Sequence, residues 1–337
     1  MTPMTTNHTA TNIPPLQHVV IGGGSWGTAI GAALMRGGQS VTMLVRDSAT
    51  IALLAAGKCR QLPDLEPVAP LSATLDPACL ATADAIYVVV PVSATRQILG
   101  VIAAHVRPHT PVILCAKGIV ADAEHGGLIM TELAAADIRD FPVMILSGPS
   151  FADEVLMGLP AAITLATNDT EAGQRIQHAF ADGNIRLYVN DDLGGVAIGG
   201  AMKNVIAIAA GCAVGLGLGD NAKAAIITRG LAEIARFATA MGARQETVYG
   251  LSGAGDLALS CAGPHSRNMA YGLALGKGET PDPRLAEGRH SVAALSARAT
   301  KMDLDLPITT AVDRVINHGD NLADVVAGLL ARKVGTE

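Results

Sequence analysis

The feature that most constrains the fold is a glycine turn near the start of the chain. A short apolar run at 17–22 (QHVVIG) leads into GGGSWGTA at 22–29. Gly22, Gly24 and Gly27 match GxGxxG, where the first glycine permits a tight turn, the second lets the backbone approach a pyrophosphate, and the third lets helix and strand pack closely. Because a strand pattern precedes the turn and a helical pattern follows it, we interpret the segment as a dinucleotide site whose helix points free N–H groups at the phosphates.

Apolar strands and helices alternate to about residue 190. Strands are predicted at 17–22, 41–45, 85–90, 111–115, 142–146, 161–166 and 185–189, and helices at 25–36, 93–104 and 124–137. Later helices are predicted at 195–214, 220–241, 266–275, 290–300, 308–317 and 321–332. This order predicts an α/β N-terminal domain with a Rossmann-type parallel sheet, followed by an all-α C-terminal domain. We expect a disordered tail at 1–15, a dinucleotide-binding domain at 16–190 and a helical substrate and catalytic domain at 191–337.

The charge and the cysteine content exclude several classes of protein. The formal net charge of −6 argues against a nucleic-acid binder, which needs a basic surface to neutralise phosphates. The five cysteines are odd in number and show no CxxC spacing, so we predict free thiols in a reducing compartment and no metal site. We therefore expect a cytoplasmic protein with a small-molecule substrate and no nucleic-acid partner. The sequence leaves the oligomeric state open, with a homodimer as one expectation.

One segment raises the question of a membrane span. Residues 193–219 are long enough to cross a bilayer and rich in small apolar residues. Lys203 and Asn204 lie near the centre of this segment, where an ammonium group would be costly in hydrocarbon. We therefore predict a helix buried inside the protein and no membrane span.

The residues after the second strand indicate which cofactor such a fold binds. An acidic residue there hydrogen-bonds the ribose 2′-OH of NAD, whereas an arginine accommodates the 2′-phosphate of NADP. This chain has Arg46 followed by Asp47, and Asp47 is equally well placed to cap the next helix. Arg46 favours NADP(H) without excluding NAD(H).

Lys203 is a charged residue on an otherwise apolar helix. Its neighbours at helical spacing include Gly199, Gly200, Ile206 and Ala207, so this face is expected to be packed or in a cleft. Desolvation lowers the pKa of a lysine and gives an amine that accepts a proton near physiological pH, as the oxidation of a secondary alcohol requires. Periodicity alone leaves a catalytic and a structural lysine equally open.

Two glycine-rich segments contain further polar residues. At 250–268 the sequence reads GLSGAGDLALSCAGPHSRN, which we interpret as a ligand-binding loop whose Arg267 and Asn268 hold phosphate. The alternative is a connecting loop capped by Ser266. In Gly148-Pro149-Ser150, the serine could cap the following helix or present its hydroxyl to a substrate.

Taken together, the chain resembles the NAD(P)-dependent glycerol-3-phosphate dehydrogenase family of bacterial type, from Val19 to about Gly328. Seven blocks in order carry the resemblance: GGGSWGTA (22–29), AKG (116–118), SGPSFADEV (147–155), KNVIAIAAG (203–211), DNAKAAIITRGLAE (220–233), GLSGAGDLALSCAGPHSRN (250–268) and AEG (286–288). Ser260 stands where the family usually has threonine, which keeps the hydroxyl. The stretch 289–295 departs from the polar pattern usual in the family.

The resemblance implies two catalytic residues, with Lys203 as the proton acceptor and Asp256 beside it. It implies a substrate site lined by Lys117, Gly148, Ser150, Lys203, Asp256, Ser266, Arg267 and Asn268. To the motif glycines Gly22, Gly24 and Gly27 it adds an implied cofactor site formed by Ser25, Trp26, Arg46, Lys117, Ala152, Arg267, Leu285 and Glu287.

The activity implied is the reversible reduction of dihydroxyacetone phosphate to sn-glycerol 3-phosphate with NADP(H) or NAD(H), which supplies glycerophospholipid synthesis. One alternative is another dehydrogenase with a Rossmann-type and a helical domain, such as a 6-phosphogluconate or ketopantoate reductase type. The other is a dinucleotide-binding sensor without turnover. The Ser-Arg-Asn and GPSFADE blocks argue against the first, and Lys203 with Asp256 argues against the second.

Overall fold

The structure, a computed structural model, describes residues 15–65, 68–282 and 286–331. Its N-terminal part is an eight-stranded sheet, with a separate hairpin of two short strands beside it. The strands are β1 (Gln17–Ile21), β2 (Ser40–Leu44), β3 (Ser72–Thr74), β4 (Ala85–Val88), β5 (Val112–Leu114), β6 (Ile119–Asp122), β7 (Gly126–Ile129), β8 (Val143–Ser147), β9 (Ala161–Ala166) and β10 (Ile185–Asn190). All seven predicted strands of the main sheet are present, and β3 is an addition.

The strand order across the sheet is β10-β9-β8-β5-β4-β1-β2-β3. Side chains of β1 pack alternately on the two faces, with Val20 in one apolar cluster and Val19 and Ile21 in another. Strands buried on both faces must be apolar throughout, which explains the continuous Val-Val-Ile run. The predicted α/β class with a largely parallel sheet is confirmed.

One strand pair departs from the predicted parallel arrangement. β9 pairs with β8 in the antiparallel direction, so β9 and β10 run opposite to the other six strands. The helix between β8 and β9, α5 (Ala152–Leu156), has five residues and packs on the helix that follows β1. A parallel pair needs a long crossover connection, and this segment does not form one.

The other helices of the N-terminal part lie close to the predicted positions. They are α1 (Ser25–Arg36), α2 (Ser48–Ala55), α3 (Val92–His105), α4 (Met130–Asp137) and α6 (Thr170–Ala179), with a 3₁₀ turn at Pro77–Thr82. The helix predicted at 124–137 is wrong in its first half, because Gly126–Ile129 pairs with Ile119–Asp122 as the β6–β7 hairpin. The structure describes the chain from residue 15 onward. The expected disordered tail at 1–15 therefore lies almost wholly outside the described residues.

After β10 the described chain is helical, as predicted. The helices are α7 (Leu193–Gly215), α8 (Gly219–Ala240), α9 (Gln245–Tyr249), α10 (Asp256–Cys261), α11 (Arg267–Gly276), α12 (Glu287–Lys301), α13 (Pro307–Asn317) and α14 (Leu322–Leu330). The interpretation of 250–268 as a loop is wrong for most of its length, because Leu251–Gly255 is a π-helical turn that runs directly into α10. The domain boundary between 190 and 191 stays a prediction.

Helix α7 forms the centre of the helical part. It packs against α8, α10, α11, α12 and α13, and it also contacts β8 of the sheet. Within the described ranges it is the one helix long and apolar enough to cross a membrane, yet 94% of its most apolar window is buried inside the protein. The prediction of a buried helix is confirmed.

Helix α12 connects the helical part to the N-terminal part through packing and hydrogen bonds. It packs on the β6–β7 hairpin, and the guanidinium of Arg298 donates to Glu132 of α4 at 2.9 Å. Near its end, Lys301 donates to the backbone carbonyls of Ala123 and Glu124 in the hairpin turn. These contacts hold the C-terminal part of α12 against the N-terminal part of the protein, while the N-terminus of this helix lies beside the candidate site.

A buried glutamate caps a helix from a distant element. The carboxylate of Glu233, in α8, accepts hydrogen bonds from the N–H groups of Ile308 and Thr309 and from the Thr309 hydroxyl. These are the first N–H groups of α13, which have no partner inside their own helix. Only 3% of Glu233 is exposed, so the cap holds α13 against α8 without competition from water.

We expect Glu233→Gln to lower the free energy of unfolding by about 2 kcal/mol, because the amide offers one acceptor oxygen and turns a donor group toward N–H donors. Chemical denaturation followed by circular dichroism measures this change. The exposed Glu279→Gln is the matched control and should leave the midpoint unchanged. Equal stability of the two variants would contradict the capping role.

Candidate active site

The glycine turn after β1 is packed against backbone on two sides. Gly22 has a φ of +117°, and a Cβ there would lie 2.2 Å from the carbonyl oxygen of Val89. A Cβ on Gly27 would lie 2.0 Å from the carbonyl oxygen of Gly22. The tight turn and the close packing of helix on strand, expected from the first and third glycines, are therefore present.

Gly24, by contrast, faces open space. It is the N-cap of α1, no side chain caps the first N–H groups of that helix, and a Cβ on Gly24 would meet no heavy atom within 4 Å. Ser25 and Trp26 form the first turn of α1, and the buried indole N–H of Trp26 has no hydrogen-bond partner within the described residues. This arrangement fits the pyrophosphate of a dinucleotide, which uncapped helical N–H groups attract. The cofactor-binding roles of these residues stay predictions.

The end of β2 carries the expected arginine and aspartate. Arg46 is exposed, and it makes no hydrogen bond or ion pair with any described residue. Asp47 is the N-cap of α2, and its carboxylate accepts from the N–H of Thr50 at 2.8 Å. The alternative that Asp47 caps the helix is confirmed, and Arg46 keeps all its donors free.

A buried carboxylate joins two lysines where the sheet meets the helical part. Oδ1 of Asp256 lies 2.8 Å from Nζ of Lys203, and Oδ2 lies 2.6 Å from Nζ of Lys117. The Asp256 side chain is only 2% exposed, whereas those of Lys203 and Lys117 are 9% and 16% exposed. Lys117 follows β5 and Lys203 belongs to α7, so this cluster connects the carboxyl edge of the sheet to the central helix.

The charges of this cluster perturb one another. Burial lowers the pKa of Lys203 below the ordinary lysine value, and the Asp256 carboxylate opposes that shift. Burial alone would raise the pKa of Asp256, but the ammonium groups of Lys117 and Lys203 outweigh it and hold that pKa below its usual range. With both lysines protonated, two positive charges share one negative charge. The cluster therefore favours an anionic ligand.

Glycine residues let α7 approach the sheet at this point. A Cβ on Gly200 would lie 2.7 Å from Oγ of Ser147, at the end of β8, and 3.5 Å from Cγ of Lys117. Gly200 lies one helical turn before Lys203, so a larger residue would push the lysine away from the sheet. The expectation that this face of the helix is packed is confirmed.

The turn after β8 supplies a carbonyl to the cluster. Gly148 has a φ of +149°, and its carbonyl oxygen accepts from Nζ of Lys117 and from Oγ of Ser150, both at 2.9 Å. The suggestion that Ser150 caps the next helix is wrong, because α5 begins at Ala152 and its N-cap is Phe151. The Ser150 hydroxyl turns back to Gly148 instead, and its substrate role stays a prediction.

Two polar partners of the cluster were not assigned from the sequence. Ser260 places Oγ 2.7 Å from Nζ of Lys203, one helical turn after Asp256. The amide of Asn204 donates to the carbonyl of Lys117 at 3.1 Å and accepts from Asn268 at 2.9 Å. The only signal for Asn204 was its position beside the lysine on an apolar helix, where a buried amide needs partners.

Asn268 continues this connection to α12. Its Oδ1 accepts from the N–H of Gly288 at 3.0 Å, while its Nδ2 donates to Asn204. Glu287, the first residue of α12, is close enough to Lys203 to raise the pKa of that lysine, although burial dominates. Asn268 is therefore linked to the cluster through Asn204, and Glu287 acts on Lys203 through its charge.

The remaining predicted site residues have the following positions. Ser266 caps α11, as the alternative for that segment predicts, and Arg267 is the exposed first residue of the helix without a polar partner in the described part of the chain. Ala152 begins α5 and packs against the core of the sheet domain. Leu285 lies outside the described residues. The substrate and cofactor roles of these residues stay predictions.

Comparison with known proteins identifies the family of each half. Residues 18–173 match the family model of the NAD-dependent glycerol-3-phosphate dehydrogenase N-terminus, and residues 192–327 match that of the C-terminus. A glycerol-3-phosphate dehydrogenase of the NAD(P)+ type from Caulobacter vibrioides is 43% identical over 327 residues, covering 94% of this chain and 98% of the relative. One from Mesorhizobium japonicum is 41% identical over 321 residues, covering 94% and 93%.

A solved structure of the same family has a similar fold. The crystal structure of glycerol-3-phosphate dehydrogenase from Coxiella burnetii matches with a TM-score of 0.87 and 34% identity, covering 94% of this chain and 99% of that one. The predicted fold and family are confirmed, and the alternative of a different dehydrogenase type is not favoured.

Two glycines of the turn, Gly24 and Gly27, are expected to respond differently to substitution by alanine. Because only open space faces Gly24, we expect Gly24→Ala to keep the melting temperature of the parent while weakening NADPH binding about tenfold or more, since the methyl group would occupy the path of the phosphates. Gly27→Ala should instead lower the free energy of unfolding by about 1–3 kcal/mol, because the new methyl group meets the Gly22 carbonyl.

Trp26 is the single tryptophan of the chain and lies in the same turn, so its fluorescence reports cofactor binding in both variants. Thermal unfolding provides the second measurement. A Gly24→Ala protein that binds NADPH like the parent would show that the pyrophosphate does not pass this position.

Proposed function

The chain belongs to the NAD-dependent glycerol-3-phosphate dehydrogenase family, and on that premise we propose that it reduces dihydroxyacetone phosphate reversibly to sn-glycerol 3-phosphate with NADPH or NADH. The observation that carries the proposal is the buried cluster of Lys203, Asp256 and Lys117, which combines a proton carrier with excess positive charge. The product is the backbone needed for glycerophospholipid synthesis.

Reduction of the ketone needs one hydride and one proton. When bound, the reduced nicotinamide supplies the hydride that adds to C2 of the substrate. Negative charge develops on the ketone oxygen, and the ammonium of Lys203 donates the proton that completes the alcohol. In the oxidation direction the neutral amine of Lys203 takes the hydroxyl proton back, which a pKa lowered by burial favours.

The hydrogen bonds of Lys203 leave one donor for the substrate. An ammonium group has three N–H donors, and here one reaches Asp256 and a second reaches Ser260. The third is free to reach a substrate oxygen. Asp256 and Ser260 thus orient the proton carrier, and Asp256 also keeps the ammonium stable in a buried place.

Lys117 can act on the substrate in a similar way. Its ammonium donates to Asp256 and to the carbonyl of Gly148, and its third donor is free. Together with the unpaired Arg267, it supports binding of the substrate phosphate, whose charge needs cations. Asn268 retains one amide N–H beyond its contacts with Asn204 and Gly288, which suits a further contact to the substrate.

The cofactor side of the proposal uses the turn and the elements beside it. The N–H groups of α1 would hold the pyrophosphate, and Arg46 would lie at the adenosine ribose. The other proposed cofactor residues are Ser25, Trp26, Lys117, Ala152, Arg267, Leu285 and Glu287. Within the described residues no group of three or more His, Cys, Asp or Glu side chains could hold a metal ion, and the proposed reaction uses none.

The proposal extends to the protein's setting and organisation. We place the enzyme in the cytoplasm, where its five cysteines, all free thiols, remain reduced. The proposed domain boundary lies at 190–191, and the proposed assembly is a homodimer without a nucleic-acid partner. Light scattering on the purified protein measures that assembly directly.

The catalytic part of the proposal is tested by Lys203→Met, which keeps much of the side-chain volume and removes the proton carrier. We expect turnover to fall by about 10²–10⁴ in both directions, the range typical of a lost general acid–base group. Steady-state kinetics at 340 nm measure the turnover, and they also separate an enzyme from a binding protein without activity.

The matched control is the exposed Lys277→Met, which should keep the activity of the parent. NADPH binding, followed by Trp26 fluorescence, should be unchanged in both variants. If Lys203→Met binds cofactor and turns over within a few fold of the parent, Lys203 is not the proton carrier, and Lys117 becomes the leading candidate.

A further inference from the structure

Asp47 lies next to Arg46 at the end of β2, where an acidic residue would select NAD, and one oxygen of its carboxylate is already engaged. Oδ1 accepts from the N–H of Thr50 at 2.8 Å and from the Thr50 hydroxyl at 2.9 Å. The same oxygen lies 2.9 Å from Nη2 of Arg60. This oxygen of the carboxylate therefore caps α2 and pairs with a guanidinium.

This pairing changes what the end of β2 offers to a cofactor. A free carboxylate here would accept a hydrogen bond from the ribose 2′-OH and repel a 2′-phosphate. Arg60 pairs with Asp47, and Arg46, which directly precedes Asp47 in the chain, is exposed and has no side-chain partner among the described residues. The local net charge is positive, which favours a phosphate over a hydroxyl.

The backbone around Arg60 holds it in this place. Gly57, with a φ of +69°, turns the chain back after α2, and the N–H of Val68 donates to the Gly57 carbonyl at 2.9 Å. Cys59, directly before Arg60, is buried, and its backbone pairs with that of Leu62 in an isolated antiparallel β-bridge. The arginine therefore projects from an anchored turn.

Resting on the proposed function, we propose that Arg60 is a specificity-determining residue that forms, with Arg46, a two-cation subsite for the 2′-phosphate, so that the chain prefers NADP(H) to NAD(H). A guanidinium has five donors in a planar fork, so Arg60 can keep Asp47 while presenting other N–H groups to the phosphate. Asp47 then positions a cation instead of selecting the ribose hydroxyl.

The test compares Arg60→Gln with the matched control Lys58→Gln, an exposed cation two residues away whose side chain has no polar partner in the described residues. Titration calorimetry with 2′,5′-ADP and 5′-AMP measures binding to the full chain without any turnover. Arg60→Gln should weaken 2′,5′-ADP about fivefold to tenfold, by one charge-assisted contact, and 5′-AMP less than about twofold. Arg60→Lys, which keeps the charge without the fork, should lose less.

Two results would overturn the inference. One is an Arg60→Gln protein that keeps the parental ratio of 2′,5′-ADP to 5′-AMP affinity. The other is an equal loss of 2′,5′-ADP affinity in Lys58→Gln, which would indicate that the overall positive charge of this region binds the phosphate and that Arg60 forms no specific site. The proposed function fails separately, if the parent protein discriminates the two nucleotides but does not reduce dihydroxyacetone phosphate with NADPH.

Discussion

The carboxylate of Asp256 is shared by two ammonium groups in a place that water hardly reaches, and the functional half of the structure is arranged around it. Taking one carboxylate and two lysines out of water is unfavourable unless the charges face one another and their hydrogen bonds are made. Ser260 and the carbonyl of Gly148 make the additional bonds, one to each lysine. An excess positive charge remains, which the proposed anionic ketone would neutralise, so the same atoms would satisfy burial of the charges and binding of the substrate.

This constraint also explains the placement of the larger elements. Lys117 must come from the carboxyl edge of the sheet and Lys203 from α7, so α7 has to cross close to β8, which Gly200 permits. The amides of Asn204 and Asn268 then connect α7 to α11 and to the start of α12. Because parallel strands end at one edge, the same edge presents the uncapped N-terminus of α1. The glycine turn after β1 and the lysine cluster therefore lie at the same edge of the sheet.

Local patterns predicted most of the fold, and long-range contacts account for what they missed. The strand, turn and helix at 17–36 follow from apolar periodicity and glycine chemistry, and the structure has them within a residue or two. The reversed direction of β9, the β6–β7 hairpin and the helical turn at Leu251–Gly255 depend on packing between distant segments, which local sequence patterns do not reveal. Similarly, residue spacing alone does not decide whether Lys203 is a catalytic or a structural residue. Its contact with Asp256, 53 residues away, came from the family resemblance and is present in the structure.

The pH dependence of ketone reduction in the Asp256→Asn variant tests the central role of this carboxylate most directly. In the proposed mechanism the ammonium form of Lys203 donates the proton, so turnover should fall as the pH rises through the pKa of that lysine. In the parent, Asp256 raises this pKa against the effect of burial. Removing the negative charge leaves two ammonium groups facing each other, and the alkaline midpoint of turnover should move to lower pH. A midpoint that stays where it is in the parent, or moves to higher pH, would contradict the account.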